Sequence, residues 1–466
     1  MNGALLKAKR LLNWRNIWAV ILLIRVPLFI LAPGSLFIDG MDRHLGDIDK
    51  VIRLQFDFWY PPLYSVLMAI PRALLSPELA IWAFKLFSLI CFVLTVKASI
   101  RVLRKFEFSE TKIKLTILIF ALLSWPLLMS VTFISDMFFA YLFILLVQHS
   151  LDFDASKKSI AQVAIIYLAL LATKPMAIFI LPSFLLFSWL RHSRILFLKY
   201  LAAIIIGFAL FSPWLAKNYV QTGQFYQTSD SSENANTLKF IPLAELPIQA
   251  ERTFSYFWEF PGIEKLNNFS GNVKTLAVAY YALNLSAFLL FTIIIIVSAV
   301  KGIRSPITKQ IIALLICCLG FSTVYWPFFG KYDYWDSGRY SLPVLMLLIV
   351  FYVSAYMASK RTLLTLLTLV ILTFSVINSY IIGLTYYRLD ANIQELILLA
   401  KDNPTKQVIT NDIYTRVTFS YYLPGRLRYD PELPACISQT KVGQFDICLT
   451  EDSLTLYRAN PSRTVG

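Results

Sequence analysis

Eleven apolar stretches, at about 17–38, 79–100, 113–131, 137–151, 160–173, 175–190, 197–215, 275–300, 310–329, 341–358 and 362–384, dominate the chain. A helix needs roughly 20 apolar residues to cross the hydrocarbon of a bilayer. In lipid the backbone must satisfy its own polar groups, so such runs fold as helices. Only 15% of the 466 residues are charged and mean hydropathy is +0.62. An ordinary soluble domain carries roughly 25% charge. The balance excludes a soluble enzyme, a disordered chain and a disulfide-built secreted scaffold. The stretch 61–76, PPLYSVLMAIPRALLS, is apolar but short and opens on Pro-Pro, so it reads as an interfacial or re-entrant helix.

Charge placement sets the orientation. With the N-terminus in the cytoplasm, the short inner segments carry nineteen Lys and Arg, from Lys7 to Arg361. The short outer connections at 131–136, 173–176 and 330–340 carry three, Lys174, Lys331 and Arg339. This is the positive-inside pattern. Counting 61–76 as a span would reverse every later loop and destroy the pattern. The formal net charge of +15 therefore reflects membrane orientation and does not point to nucleic acid.

Three long segments fall outside: the first loop at 39–78, a large loop at 216–274, and the tail from 385 to 466. In the tail, charge and turn residues return. KQVIT (406–410), QFDICLT (444–450) and LTLYRA (454–459) read as strands, with 412–423 as a helix between two of them. The expected architecture is an all-α polytopic bundle over 1–384 and a small extracytoplasmic α/β module over 385–466. Cys91, Cys317 and Cys318 lie in apolar helices as packing residues. Cys436 and Cys448 share the outer tail, where a disulfide between them is one of two open outcomes. Three scattered histidines and no metal-type cysteine spacing argue against zinc.

The informative charges are the few outside. The first loop, FIDGMDRHLGDIDKVIRLQFDFWYPPLY, holds Asp39, Asp42, Asp47, Asp49 and Asp57. Such a loop is either a hydrated anchor or a carboxylate site at the membrane surface. Asp136 heads an apolar helix, where an ionisable residue caps the helix, faces a cavity or does both. Lys174 breaks LALLATKPMAIFILP on the outer side, suited to snorkelling or to a phosphate. Arg339 and Tyr340 lead into a span from outside; Arg suits bidentate phosphate contact. Arg25 lies inside the first span, where it either snorkels or faces an internal cavity. Outer carboxylates and cations together suit transfer of a group from a lipid phosphate to a polar acceptor.

The order of these elements is itself informative. An acidic loop is followed by YPPLYSVLMAIPRALL, SVTFISDMFFAYLFIL, LALLATKPMAIFILP, PWLAKNYVQTGQFY (213–226) and GRYSLPVLMLL (338–348). Over about 17–350 this resembles the GT-C superfamily of integral-membrane glycosyltransferases. The likeness is to the bacterial protein O-mannosyltransferase and aminoarabinose-transferase-like families, which use polyprenyl-phosphate sugars. The resemblance implies a GT-C bundle with juxtamembrane helices in the first outer loop and a cavity open to the outer face. It implies an inverting transfer with a first-loop Asp as general base, mapping to Asp39 or Asp42, or to Asp47 if the Gly-Asp pair marks the site. The family's second acidic position maps to Asp136. Lys174, Arg339, Tyr340, Tyr64 and Asn218 map to binding of the donor and its phosphate. Many relatives open this loop with Asp-Glu, and here no Glu follows. The implied partners are a polyprenyl-phosphate sugar donor, membrane lipids and a glycan, lipid or protein acceptor. No cofactor or metal is expected, although a divalent ion is not excluded. A polysaccharide polymerase or O-antigen ligase shares the span count, but its expected Arg-rich outer loops are lacking in 216–274. A lipid-linked sugar flippase or transporter more often shows internal repeats, and none is visible.

Overall fold

A computed structural model describes residues 13–33, 44–55, 61–223, 242, 244–258, 272–330, 336–358, 361–411, 415, 418–419, 422, 426–430, 440–442, 445–449 and 453–458. The helices in chain order are α1 (Trp14–Leu31), α2 (Leu45–Ile52), α3 (Leu63–Leu74), α4 (Pro77–Lys105), α5 (Glu110–Leu122) and α6 (Ser124–Met129). Then come α7 (Asp136–Leu151), α8 (Lys157–Leu171), α9 (Met176–Phe179), α10 (Leu181–Arg191), α11 (Arg194–Thr222) and α12 (Leu246–Trp258). Last are α13 (Asn272–Gly302), α14 (Pro306–Leu319), a π-helical segment (Gly320–Gly330), α15 (Asp336–Ala358) and α16 (Arg361–Asp402).

Among the described residues, seven helices are long and apolar enough to cross a membrane unaided. The other four expected spans are shorter: α5 with α6, then α7, α8, and α9 with α10. They belong to the large buried core that runs through the bundle. The expected span 113–131 is broken, because Leu123 is extended at φ −67 and ψ 151. Pro126 explains the break. It has no N–H for the Leu122 carbonyl, so the helix restarts one residue later. Helix starts follow local chemistry elsewhere: the Ser76, Ser109, Ser156 and Ser193 hydroxyls accept from the first turns of α4, α5, α8 and α11.

The segment 61–76 forms the twelve-residue α3, too short to span, as expected. It pairs with α2, and Arg72 meets Asp49 at 3.3 Å. Tyr64, Met68, Leu45 and Ile48 pack with Phe84 and Phe133 in a small separate core.

Close backbone approach holds α8 against α11. A Cβ on Gly207 would lie 2.6 Å from the Ala164 carbonyl and 3.3 Å from the Tyr167 ring. Small residues at helix crossings allow such contact in a bilayer. Gly207→Val is expected to cost about 1–3 kcal/mol, as overpacking does. A thermal melt in detergent checks this, and an unchanged Tm contradicts it.

The last span and the first part of the expected C-terminal module form one helix. α16 runs 42 residues without a break. At about 1.5 Å per residue it far exceeds the roughly 30 Å of bilayer hydrocarbon. Its distal part, through Leu389, Ile393, Leu396, Ile397 and Ala400, packs on Val408, Phe445, Ile447, Leu454 and Leu456. These residues belong to a five-stranded sheet: β1 (Gln407–Thr410), β2 (Leu427–Tyr429), β3 (Thr440–Val442), β4 (Phe445–Leu449) and β5 (Ser453–Arg458). The order is β2-β1-β5-β4-β3, with β1 parallel to both neighbours and β4 antiparallel to both of its own. The three expected strands are β1, β4 and β5. The two edge strands were not legible, since each is three residues long. The expected helix at 412–423 lies mostly outside the described residues, as does Cys436; Cys448 is disulfide-bonded. Tyr422 packs against both the sheet core and the α2–α3 core. Burial pushes its phenol up to about 12. The module thus rests on the first-loop helices.

Candidate active site

Asp136, Lys174 and Arg339 are far apart in sequence and meet in the structure. Lys174 Nζ donates to Asp136 Oδ1 at 2.5 Å. Arg339 Nε lies 3.1 Å from Oδ1 and 3.2 Å from Oδ2 of the same carboxylate. All three side chains are at least nine-tenths buried, at 2%, 7% and 9% exposure. The trio is thus one carboxylate held between two cations.

Each member is placed by a helix end. Asp136 occupies the first turn of α7, where the helix dipole favours an anion. Lys174 sits in the turn after α8, because a residue before proline is pushed out of the α region. Its own N–H still bonds the Leu170 carbonyl at 3.0 Å. The Leu63 N–H reaches the Ala172 carbonyl at 2.8 Å, which ties the Pro-Pro helix α3 to this turn. Arg339 lies in the first turn of α15 behind Gly338. A side chain on Gly338 would overlap the Trp125 indole nitrogen and the Tyr256 carbonyl. Those two atoms are themselves bonded, Trp125 Nε1 donating to Tyr256 O at 2.8 Å. The large-loop helix α12 therefore packs against the first turn of α15 at the residue before Arg339.

Aromatic rings line the trio. Lys174 Nζ is 5.2 Å and Arg339 Cζ 5.8 Å from the centre of the Tyr340 ring. Tyr340 is in turn edge-on to Phe321 of the π-helical segment at 5.4 Å. Cations against aromatic faces gain about 0.5–2 kcal/mol depending on solvation. Tyr64 is fully buried and meets the His44 ring edge-on at 4.9 Å. Burial pushes its phenol well above the ordinary tyrosine value, and the Asp136 charge adds to the shift. It therefore stays protonated, with its hydroxyl buried.

The sequence-predicted residues divide by position. Asp136, Lys174, Arg339 and Tyr340 are joined, with Tyr64 close by. Asn218 is buried near the end of α11. Asp47 is fully buried in α2, with Lys50 at 3.9 Å. Asp39 and Asp42 lie outside the described residues. Among the described residues, no three His, Cys, Asp or Glu side chains cluster as a metal would require.

Sequence reasoning missed several contributors. His44 Nε2 lies 3.3 Å from Ser135 Oγ, beside Asp136. Lys85 Nζ donates to the Phe29 and Ala32 carbonyls at 2.5 and 2.6 Å and closes the end of α1. His44 sits inside the quoted acidic loop and was passed over as an isolated histidine. Lys85, a lone cation inside an apolar helix, carried the same signal as Asp136.

No family model matches the chain, and no curated protein matches it in sequence. Solved structures do match. A crystal structure of ArnT from Cupriavidus metallidurans bound to undecaprenyl phosphate superposes with a TM-score of 0.58 at 12% identity, covering 89% of this chain and 85% of that one. The apo form of the same protein gives 0.56 at 10% identity, covering 89% and 84%. The chain has an ArnT-like fold. This is the architecture that the GT-C resemblance implied. The likeness covers 89% of the chain, somewhat more than the 17–350 over which the sequence resemblance runs.

Proposed function

We propose that this chain moves a sugar from a polyprenyl-phosphate donor to an acceptor hydroxyl at the outer face of a bacterial cytoplasmic membrane. The buried Asp136–Lys174–Arg339 trio carries this reading: it gathers two cations around one carboxylate on an ArnT-like fold. The ArnT crystal structure with undecaprenyl phosphate supports the choice of lipid. The disulfide-bonded Cys448 supports an oxidising compartment for the C-terminal module.

In this reading Lys174 and Arg339 bind the donor phosphate. Tyr340 flanks it, Tyr64 supplies a neutral donor, and Asn218 contributes from α11. A first-loop carboxylate, Asp39, Asp42 or Asp47, takes the proton of the acceptor hydroxyl. The acceptor oxygen bonds to the anomeric carbon while the bond to the phosphate oxygen breaks. Its electron pair leaves with the polyprenyl phosphate, and the configuration inverts. The negative charge gathering on the leaving phosphate meets preplaced cations, the main source of catalysis in such sites. Asp136 has both oxygens engaged by cations, so its role here is to hold Lys174 and Arg339 rather than to take a proton.

Native mass spectrometry with undecaprenyl phosphate and with the uncharged polyprenol tests the phosphate site. Lys174→Ala is expected to weaken binding of the phosphate lipid tenfold or more, since a charged hydrogen bond contributes about 1.5–3 kcal/mol. Polyprenol binding should not change. Equal binding of both lipids by the unaltered protein removes the reading. For the base, Asp39→Asn, Asp42→Asn and Asp47→Asn are made singly in cells. One of them is expected to abolish the glycan product while the protein still inserts. Full product from all three contradicts a first-loop base.

A further inference from the structure

Arg25 is 1% exposed in the middle of α1. Among the described residues no carboxylate lies within ion-pair distance of it. It donates instead to the neighbouring chain: Nε to Ser130 Oγ at 3.0 Å and Nη2 to the Pro126 carbonyl at 3.4 Å. Its guanidinium lies over the Phe92 ring at 3.7 Å. Pro126 lies within α6 and Ser130 caps its end, six residues or more before Asp136.

The reason is an accounting of backbone groups. α6 stops at Met129, and the last carbonyls of a helix have no partner within it. In an apolar bundle such groups must still be satisfied. Two side chains do this for two of them: Arg25 reaches Pro126 O, and Ser130 Oγ donates to Leu127 O at 2.8 Å. Leu128 O accepts the backbone N–H groups of Ser130 and Val131 together with the Thr132 hydroxyl at 2.9 Å. The turn 130–135 that follows is non-helical and fully buried. One end is fixed by Arg25 through Ser130. The other ends at Ser135, beside His44, and at Asp136, held by Lys174 and Arg339.

We infer that Arg25 is a positioning residue: it fixes the turn 130–135 and thereby the place of Asp136 and its two cations. The inference rests on the reading of that trio as a phosphate site. A buried guanidinium suits the task because its rigid fork serves two acceptors at once, which an ammonium at the end of a flexible stem does not.

The test uses full-length protein in nanodiscs and undecaprenyl phosphate as the probe. Arg25→Gln, Asp136→Asn and the double variant are compared by native mass spectrometry, with polyprenol as reference. Arg25→Gln is expected to weaken the phosphate lipid about tenfold and to leave polyprenol unchanged. The double variant should bind no worse than Asp136→Asn alone, since residues acting through one another are not additive. Where the unaltered protein prefers the phosphate lipid, additive losses, or unchanged affinity in Arg25→Gln, overturn the inference. Hydrogen–deuterium exchange supplies a readout independent of the lipid. Arg25→Gln should speed exchange across 130–136, and unchanged protection there overturns the inference whatever the ligand. If that protection falls but the unaltered protein does not prefer the phosphate lipid, the phosphate reading fails and the positioning of the turn stands. Arg25→Lys, which keeps the charge, covers the case in which Arg25→Gln does not fold, and should give a smaller change in the same direction.

Discussion

Asp136→Ala is expected to abolish sugar transfer and to lower stability by about 3–5 kcal/mol, the range for removing one partner of a buried ion pair. The substitution removes the carboxylate that Lys174 and Arg339 share, from a place where both are nine-tenths buried. The loss of function and the loss of stability have different causes, and a second variant separates them. Replacing all three residues with apolar side chains, as Asp136→Leu, Lys174→Met and Arg339→Leu, removes all three charges together. Such replacements are often neutral or stabilising. The triple variant should therefore melt near the unaltered protein, yet bind no undecaprenyl phosphate and yield no product. A triple variant that stays active shows the trio to be structural only.

Gly338→Ala is the second change with a large expected effect. The added methyl has no room between the Trp125 indole and the Tyr256 carbonyl. One of these is backbone, so a rotamer change cannot relieve the overlap. Either α12 moves off α15, or the first turn of α15 shifts and carries Arg339 away from Asp136. Both outcomes disturb the trio. Loss of product of a hundredfold or more is expected, with a monodisperse protein on gel filtration. The same methyl at Gly320, where a Cβ meets nothing within 4 Å, serves as the control and should be tolerated. Normal activity in Gly338→Ala contradicts a role for this contact in placing Arg339.

How far the sequence revealed this can be traced residue by residue. Apolar length and cation placement located the helices, because a bilayer leaves the backbone few choices. Asp136, Lys174 and Arg339 stood out because charge is scarce in such a chain. Their meeting did not, since it depends on three helix ends converging across 203 positions of sequence between Asp136 and Arg339. Pro126 was in plain sight, but a proline inside an apolar run either kinks a helix or stops it, and packing decides which. The length of α16 was hidden for another reason. Its distal half is amphipathic and faces the sheet, so its polarity rises where the helix continues. Arg25 was seen, and its two readings could be separated only by finding Ser130 and Pro126 beside it. His44 and Gly338 gave no local signal: one acts through Ser135, and the other through the absence of a side chain.

The most direct test of the central proposal is mass spectrometry of cell-surface glycans after disruption of the gene and re-expression. The disrupted strain should lose a sugar residue of fixed mass from one glycan. The unaltered chain should restore it, and the chain carrying Asp136→Leu, Lys174→Met and Arg339→Leu should not. Glycans unchanged by the disruption, or restored by the triple variant, would contradict a sugar transferase built on this site.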